Sequence, residues 1–391
     1  MKVLPTIFDA DTHIYEPDDC FTRYLPGAVR DRAVHVREHR GDRAWWFGNR
    51  PLTFVPDAID QAHRPGDGVA LFEDDQDVVL EPTNQPIYRD PAARIAAMDA
   101  QEVAHCLIYP NLGLVVENEM LDDQEALCAN LTSYNLWLNE EWGFCSTGRM
   151  FAAPVLSLCD KQWAVEELDR VLTAGARTIL LRPGPLIDQR SPADPYYDDF
   201  WRLLDTTRVP VIFHITQSGY TRWYGTQWGE HPAPSHRELT PFQAFTCFGA
   251  RPMQDMFLNL AVNNLFGRFP QLRVVSVENG TSWVKPLLAL EPFVAQQRRQ
   301  GDSTASARFI VDDPLAEIIK RHLYLVPDPY EEPHTALEAV GEDNVLFGSD
   351  FPHPEGLAQP RLYLDRLTDM PEEVAIKIMG LNARDLLDGP A

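Results

Sequence analysis

The chain has 391 residues, 45% of them hydrophobic, enough for the core of one large domain, and its 32 prolines and 22 glycines mark turns rather than disordered tracts. Acidic residues outnumber basic ones by 58 to 34, a formal charge of −24, and no run of Lys or Arg gathers to track phosphates, so nucleic acid is excluded as a partner. No stretch approaches the roughly 18 apolar residues of a membrane span. The start MKVLPTIFDADTH lacks the apolar segment of a secretion signal, and the scattered Cys20, Cys106, Cys128, Cys145, Cys159 and Cys247 form no C-x-x-C pair. A reduced, soluble, cytoplasmic chain is expected.

In chain order, short apolar runs alternate with amphipathic segments, the pattern of βαβ units. Strands are predicted at Ile7–Ala10, His105–Tyr109, Met150–Pro154, Thr178–Leu181, Val209–His214, Leu272–Val277, Leu323–Val326 and Val345–Gly348. Helices are predicted at Asp90–Ala100, Asp123–Glu141, Lys161–Ala174, Pro195–Thr207, Pro252–Arg268, Ser282–Gln300, Pro314–Arg321 and Pro371–Leu387, several opening on Asp or Pro as helix starts do. In the third of these, Trp163, Val165, Leu168, Val171 and Leu172 fall mostly on one face. Eight strands, each followed by a helix, predict a closed (β/α)8 barrel, one domain over residues 1–391.

The exception is a long insertion after strand 1, about residues 15–90. It contains a predicted hairpin, Arg43–Phe47 followed by Gly48-Asn49-Arg50-Pro51-Leu52, and a loop from Pro56 to Gln85. Loops of such length serve as lids or interfaces, and a homodimer contact is one expected use.

Catalytic groups of such barrels lie beyond the C-terminal ends of the strands. Strand one runs into Asp11-Thr12-His13, whose first and third side chains share a face of an extended chain and can reach one ion together. Strand two ends near Asn111, strand four at Arg182, strand five at His214, strand six at Glu278, and strand eight at Asp350 with His353 close behind. An imidazole or carboxylate ending an apolar run needs a partner, and a cation satisfies several of these groups at once. Taken singly, Asp11 could cap a turn, and Asp350 or Glu278 could pair with Arg182. Trp223, in the loop after His214, is a candidate pocket wall. Trp45, Trp46, Trp228 and Trp283 are read as packing residues, His231, His236 and His334 as surface, and Cys247 as structural. No Gly-rich phosphate loop or G-x-S-x-G elbow is present.

The chain resembles the amidohydrolase-related branch that includes aminocarboxymuconate-semialdehyde decarboxylase and the aromatic-acid decarboxylases. The resemblance rests on Phe8-Asp9-Ala10-Asp11-Thr12-His13 with Glu16-Pro17, Arg94 to Val103 with Met98-Asp99, and Val211 to His214. It continues through Phe269-Pro270-Gln271-Leu272-Arg273, Glu278-Asn279-Gly280 with Trp283, and Phe347-Gly348-Ser349-Asp350-Phe351-Pro352-His353. It implies a distorted TIM (β/α)8 barrel holding one divalent metal, Zn first and Mn or another divalent ion next, through Asp11, His13, His214 and Asp350. With Arg182 near the strand-four position, where dinuclear relatives carry a modified lysine, a mononuclear site is expected. Two positions depart from the branch: Asp11 where characterised decarboxylases have His or Glu, and Glu278 where strand six usually ends in His.

The implied reaction is non-oxidative decarboxylation of an unsaturated or aromatic carboxylic acid, with Asp350, Glu278 and His214 catalytic and Arg182, Asn111, His353 and Trp223 binding substrate. Hydrolysis of an ester, lactone or amide by metal-activated water is the alternative, and Glu278 favours it. A barrel without catalysis, acting as a binding protein, is the third reading and predicts no tightly held metal.

Overall fold

In the computed structural model, residues 5–39, 41–54, 59–66, 80–145, 147–300 and 313–388 are described. Seven parallel strands are regular: β1 (Ile7–Asp9), β2 (Val103–Ile108), β3 (Met150–Ala152), β4 (Ile179–Leu180), β5 (Val211–His214), β6 (Val274–Val277) and β7 (Leu323–Val326). The eighth position, β8, is the stretch 344–348. It makes a single parallel bridge, Val345 to Leu325.

β1, β2 and β3 pair in order, as do β4 to β7. Two seams join these halves into a ring. Leu180 N–H donates to Pro154 O at 2.9 Å and Leu156 N–H to Leu180 O at 2.9 Å, joining β3 to β4. Leu346 N–H donates to Leu325 O at 2.8 Å and Ala10 N–H to Phe347 O at 2.8 Å, which sets β8 between β7 and β1. The fold is therefore an eight-stranded TIM barrel, distorted where β4 and β8 are short. Every regular strand except for Tyr324, Ala104 and His105 is buried, as expected of strands covered by helices outside and by one another within.

The helices form where capping and periodicity predict. Asp90, Asp123 and Asp160 each accept a backbone N–H of the first turn, and the helices run Pro91–Ala100, Gln124–Glu141 and Lys161–Thr173. In the last, Leu168 and Val171 are fully buried while Trp163, Val165 and Leu172 pack partly buried against the core. Two predicted helices are each two. Residues 252–268 divide into Ala250–Val262 and Leu265–Arg268, because Asn264 turns left-handed at φ 53°. Residues 282–300 divide into Val284–Ala289 and Glu291–Gln300. Helices Leu112–Glu119, Pro241–Cys247 and Pro333–Val340 have no counterpart in the sequence reading.

The insertion after β1 holds a three-stranded antiparallel sheet, Val34–His39, Asp42–Phe47 and Arg50–Pro51, one strand more than the predicted hairpin. Gln61–His63 pairs with Leu80–Pro82. Much of the predicted loop from Pro56 to Gln85 lies outside the described residues. The insertion rests on the barrel mouth: Ala358 N–H donates to Gly66 O at 2.7 Å, and a Cβ on Gly66 would fall 1.8 Å from Pro354 O, beside His353. No described helix is long and apolar enough to cross a membrane, and all six cysteines are free thiols.

Candidate metal centre and active site

The ends of β1, β5, β6 and β8 bring polar groups to one point. Ligating atoms of Asp11, His13, His214 and Glu278 lie within 4.8 Å of one another, and so do those of His13, Glu278, Asp350 and His353. His13 Nε2 is 3.3 Å from Asp11 Oδ1 and 3.5 Å from Asp350 Oδ1. His214 Nε2 is 3.5 Å from Asp11 Oδ1 and 3.4 Å from Glu278 Oε2. Asp11, His13, His214 and Asp350 are all buried, whereas Glu278 and His353 keep about a fifth of their side chains exposed, at 20% and 19%, and form the open side.

The hydrogen bonds of the two imidazoles define what the cluster can do. His13 Nδ1 meets Pro110 O at 3.2 Å, and His214 Nδ1 meets Ile215 O at 3.0 Å. A carbonyl only accepts, so each ring carries a proton on Nδ1, and in the neutral rings both Nε2 atoms present lone pairs. Those two lone pairs face each other across 3.2 Å. Asp11 Oδ1 and Asp350 Oδ2, both buried, have no hydrogen-bond partner among the described residues. Lone pairs and carboxylate oxygens converging without protons between them repel one another, and a divalent cation reverses the sign of every such contact.

Charge states fit this arrangement. Burial pushes the His13 imidazole down to about 3, with His353 beside it adding to the effect, so it is neutral. Burial opposes the charge on Asp11, while hydrogen bonding and positive charge at the His13 and His214 edges would hold its carboxyl well below the usual range, a role that a cation fills when both Nε2 atoms carry lone pairs. Glu278 and Asp350 are pushed well above it by burial and by neighbouring carboxylates. Both take left-handed backbone conformations at φ 56°, which costs a non-glycine residue about 1–2 kcal/mol. Such strain, at two residues whose carboxyls share one cluster, is characteristic of functional positions.

Asp9 and Asn111 stand behind these groups. Asp9 Oδ1 accepts from Ser349 N–H at 2.8 Å and Asp11 N–H at 3.2 Å, tying β1 to β8. Asn111 Nδ2 donates to Ile14 O at 3.2 Å, leaving its Oδ1 to accept from His353 Nε2 at 2.7 Å. His353 Nδ1 lies 2.6 Å from Asp350 Oδ1. Asn111 and His353, expected as separate substrate contacts, are therefore bonded to each other, and His353 in turn to Asp350.

Two expected residues lie apart from the cluster. Arg182 pairs with neither Asp350 nor Glu278: its Nε is 3.3 Å from Glu117 Oε1, and its other nitrogens donate to Ser218 O and Pro185 O. Glu117, on a helix the sequence reading omitted, is the buried carboxylate that takes the guanidinium. Trp223 lines a cavity of about 670 Å³ with Leu186, Arg190, Tyr220 and Met256, a lining that includes none of the four converging residues.

Asp9, named at the end of strand one only as part of the first-strand motif, and Asp328 carry no expected role from the sequence. Asp9 alternates with Asp11, so period two puts it on the same face of β1. Asp328 follows β7 by two residues, and its charge reaches Asp350.

A parallel eight-stranded barrel with this donor set at its C-terminal mouth defines the class of metal-dependent amidohydrolase-type proteins. The chain matches the amidohydrolase family over residues 8–389 and belongs to it. Among solved structures, an amidohydrolase from Mycobacterium avium subsp. paratuberculosis K-10 is 32% identical, with 98% of this chain and 100% of that one covered and a TM-score of 0.88. 2,6-Dihydroxybenzoate decarboxylase from Rhizobium is 18% identical over 98% and 99% of the two chains, with a TM-score of 0.62. 5-Carboxyvanillate decarboxylase from Novosphingobium aromaticivorans DSM 12444, complexed with manganese and 4-hydroxy-3-methoxy-5-nitrobenzoic acid, is 17% identical over 76% and 79%, with a TM-score of 0.57. No curated protein sequence matches the chain.

Proposed function

We propose that this protein is a metal-dependent enzyme that removes CO2, without oxidation, from an aromatic or unsaturated carboxylic acid, with Asp11, His13, His214 and Asp350 holding one divalent cation. The observation that carries the reading is the pair of unprotonated Nε2 atoms 3.2 Å apart, closed in by buried carboxylate oxygens. A cation bound there supplies a fixed positive charge that orients the substrate's carboxylate and stabilises the negative charge developing as the C–C bond weakens. The barrels of aromatic-acid decarboxylases, two of them solved with manganese, support this choice of chemistry and place manganese beside zinc as the ion to test.

The chain's own residues handle the proton. His353 Nδ1 and Asp350 Oδ1 share one across 2.6 Å, and Asn111 Oδ1 holds the His353 Nε2 proton, so the ring is fixed with Nδ1 toward Asp350. This pair delivers a proton to the carbon that loses CO2 and recovers one from solvent through the exposed edge of His353. Glu278, on the open side, faces the substrate. Arg182, bound to Glu117, is not free to take a second anionic group of the substrate.

Hydrolysis of an ester, lactone or amide is the second reading, and Glu278 favours it: a carboxylate 3.4 Å from His214 Nε2 is placed to accept a proton from water. The protein loaded with Mn2+ or Zn2+ and offered hydroxybenzoates and muconate-like acids should release CO2. Hydrolysis of esters or lactones with no CO2 from any acid would establish the second reading instead.

A further inference from the structure

Glu16, in the Glu16-Pro17 pair after the first-strand motif, takes no part in the chemistry above. Yet its carboxyl is buried, and one atom of it, Oε1, accepts three hydrogen bonds: from Leu112 N–H at 2.8 Å, Gly113 N–H at 3.1 Å and the Tyr134 hydroxyl at 3.2 Å. Leu112 and Gly113 open the helix Leu112–Glu119, where N–H groups have no partner within the helix. The packing is close, since a Cβ on Gly113 would fall 2.8 Å from Pro110 Cβ.

The two residues before this helix are those that orient the site histidines. Pro110 O takes the His13 Nδ1 proton, and Asn111 Oδ1 takes the His353 Nε2 proton. One turn, 110–113, thus sets the ring orientation of two imidazoles whose centroids are 4.2 Å apart, and the Glu16 carboxyl is its anchor.

We propose that Glu16 is a positioning residue of the metal centre: by fixing the 110–113 turn it keeps the His13 proton on Nδ1 and so presents the Nε2 lone pair to the cation. This rests on the reading of His13 as a ligand. Outer partners that orient ligating imidazoles typically account for about 10–100-fold in metal affinity.

The test compares the full-length wild type with Glu16→Ala and Glu16→Gln. Mn2+ affinity is measured by chelator competition, and the histidine tautomers of the metal-free proteins by 15N-imidazole NMR. Glu16→Gln keeps an oxygen that accepts the same three donors and should bind Mn2+ within about threefold of wild type, whereas Glu16→Ala should lose about 10–100-fold and the single Nδ1–H signature of His13. Glu16→Met, which keeps the volume, replaces Glu16→Ala if the latter does not fold. Wild-type affinity and an unchanged His13 signature in the Ala or Met variant would overturn the proposal. His13→Ala is measured alongside. Its loss of Mn2+ with wild-type binding in Glu16→Ala refutes the positioning role alone, while wild-type binding in His13→Ala refutes the ligand reading beneath it.

Discussion

Individual residues of the centre were legible where chemistry and position coincided. Asp11, His13, His214, Glu278 and Asp350 are polar groups ending apolar strands, and the structure gathers them. What the sequence hid was carried by atoms without a sequence signature or by distance along the chain. The carbonyls of Pro110 and Ile215 fix two tautomers, and Asn111 meets His353 across 242 residues. Arg182 is expected to pair with Asp350 or Glu278 or to bind substrate, because its actual partner, Glu117, sits on an unforeseen helix.

Two predictions belong to single side chains. His353→Gln removes the proton carrier and leaves Asp11, His13, His214 and Asp350 in place, so it should retain metal while turnover falls by about 10²–10⁴; unchanged turnover in the metal-loaded variant would remove His353 from the mechanism. Asp328 is pushed up to about 7 by burial and then by Glu331, against 3.8 in an unstructured chain. A raised folded value means the folded state holds the proton more tightly, so this group's stabilisation is complete below about pH 4 and is lost as pH rises through about 7. Urea midpoints of the metal-free protein should therefore depend less on pH between those limits in Asp328→Asn than in wild type, and equal slopes would contradict the assignment.

At the scale of elements, periodicity and capping located most of the barrel, while local backbone reversals set the errors. A continuous helix over 252–268 fits the pattern, but Asn264 breaks it. β8 was placed correctly as an apolar run, although its ladder is one bridge supported by hydrogen bonds on either side. The left-handed conformations of Glu278 and Asp350 are set by tertiary packing and have no counterpart in residue preference. The caps are testable directly: Asp160 accepts the Trp163 N–H at 2.8 Å, so Asp160→Ala should cost about 1 kcal/mol in urea unfolding. No loss would mean that this cap is redundant.

For the whole molecule, the net charge of −24 bears on how the substrate arrives. The cluster itself is acidic, and Arg182, which lies apart from it, is already paired, so under the proposed reaction a carboxylic acid would approach against the protein's field. Screening relieves that repulsion, and kcat/KM for an anionic substrate should rise from low to physiological ionic strength. A fall would point to a basic approach path. The fold class and family were readable because eight strands and the strand-end motifs recur along the whole chain; the chemistry was not, because one donor set serves both decarboxylation and hydrolysis.

Whether the facing imidazoles and buried carboxylates form a cation site is decided by elemental analysis of the purified, metal-supplemented protein and of His214→Ala. About one divalent ion per chain is expected in the wild type and nearly none in the variant. Substoichiometric metal in the supplemented wild type, or full retention in His214→Ala, would contradict it.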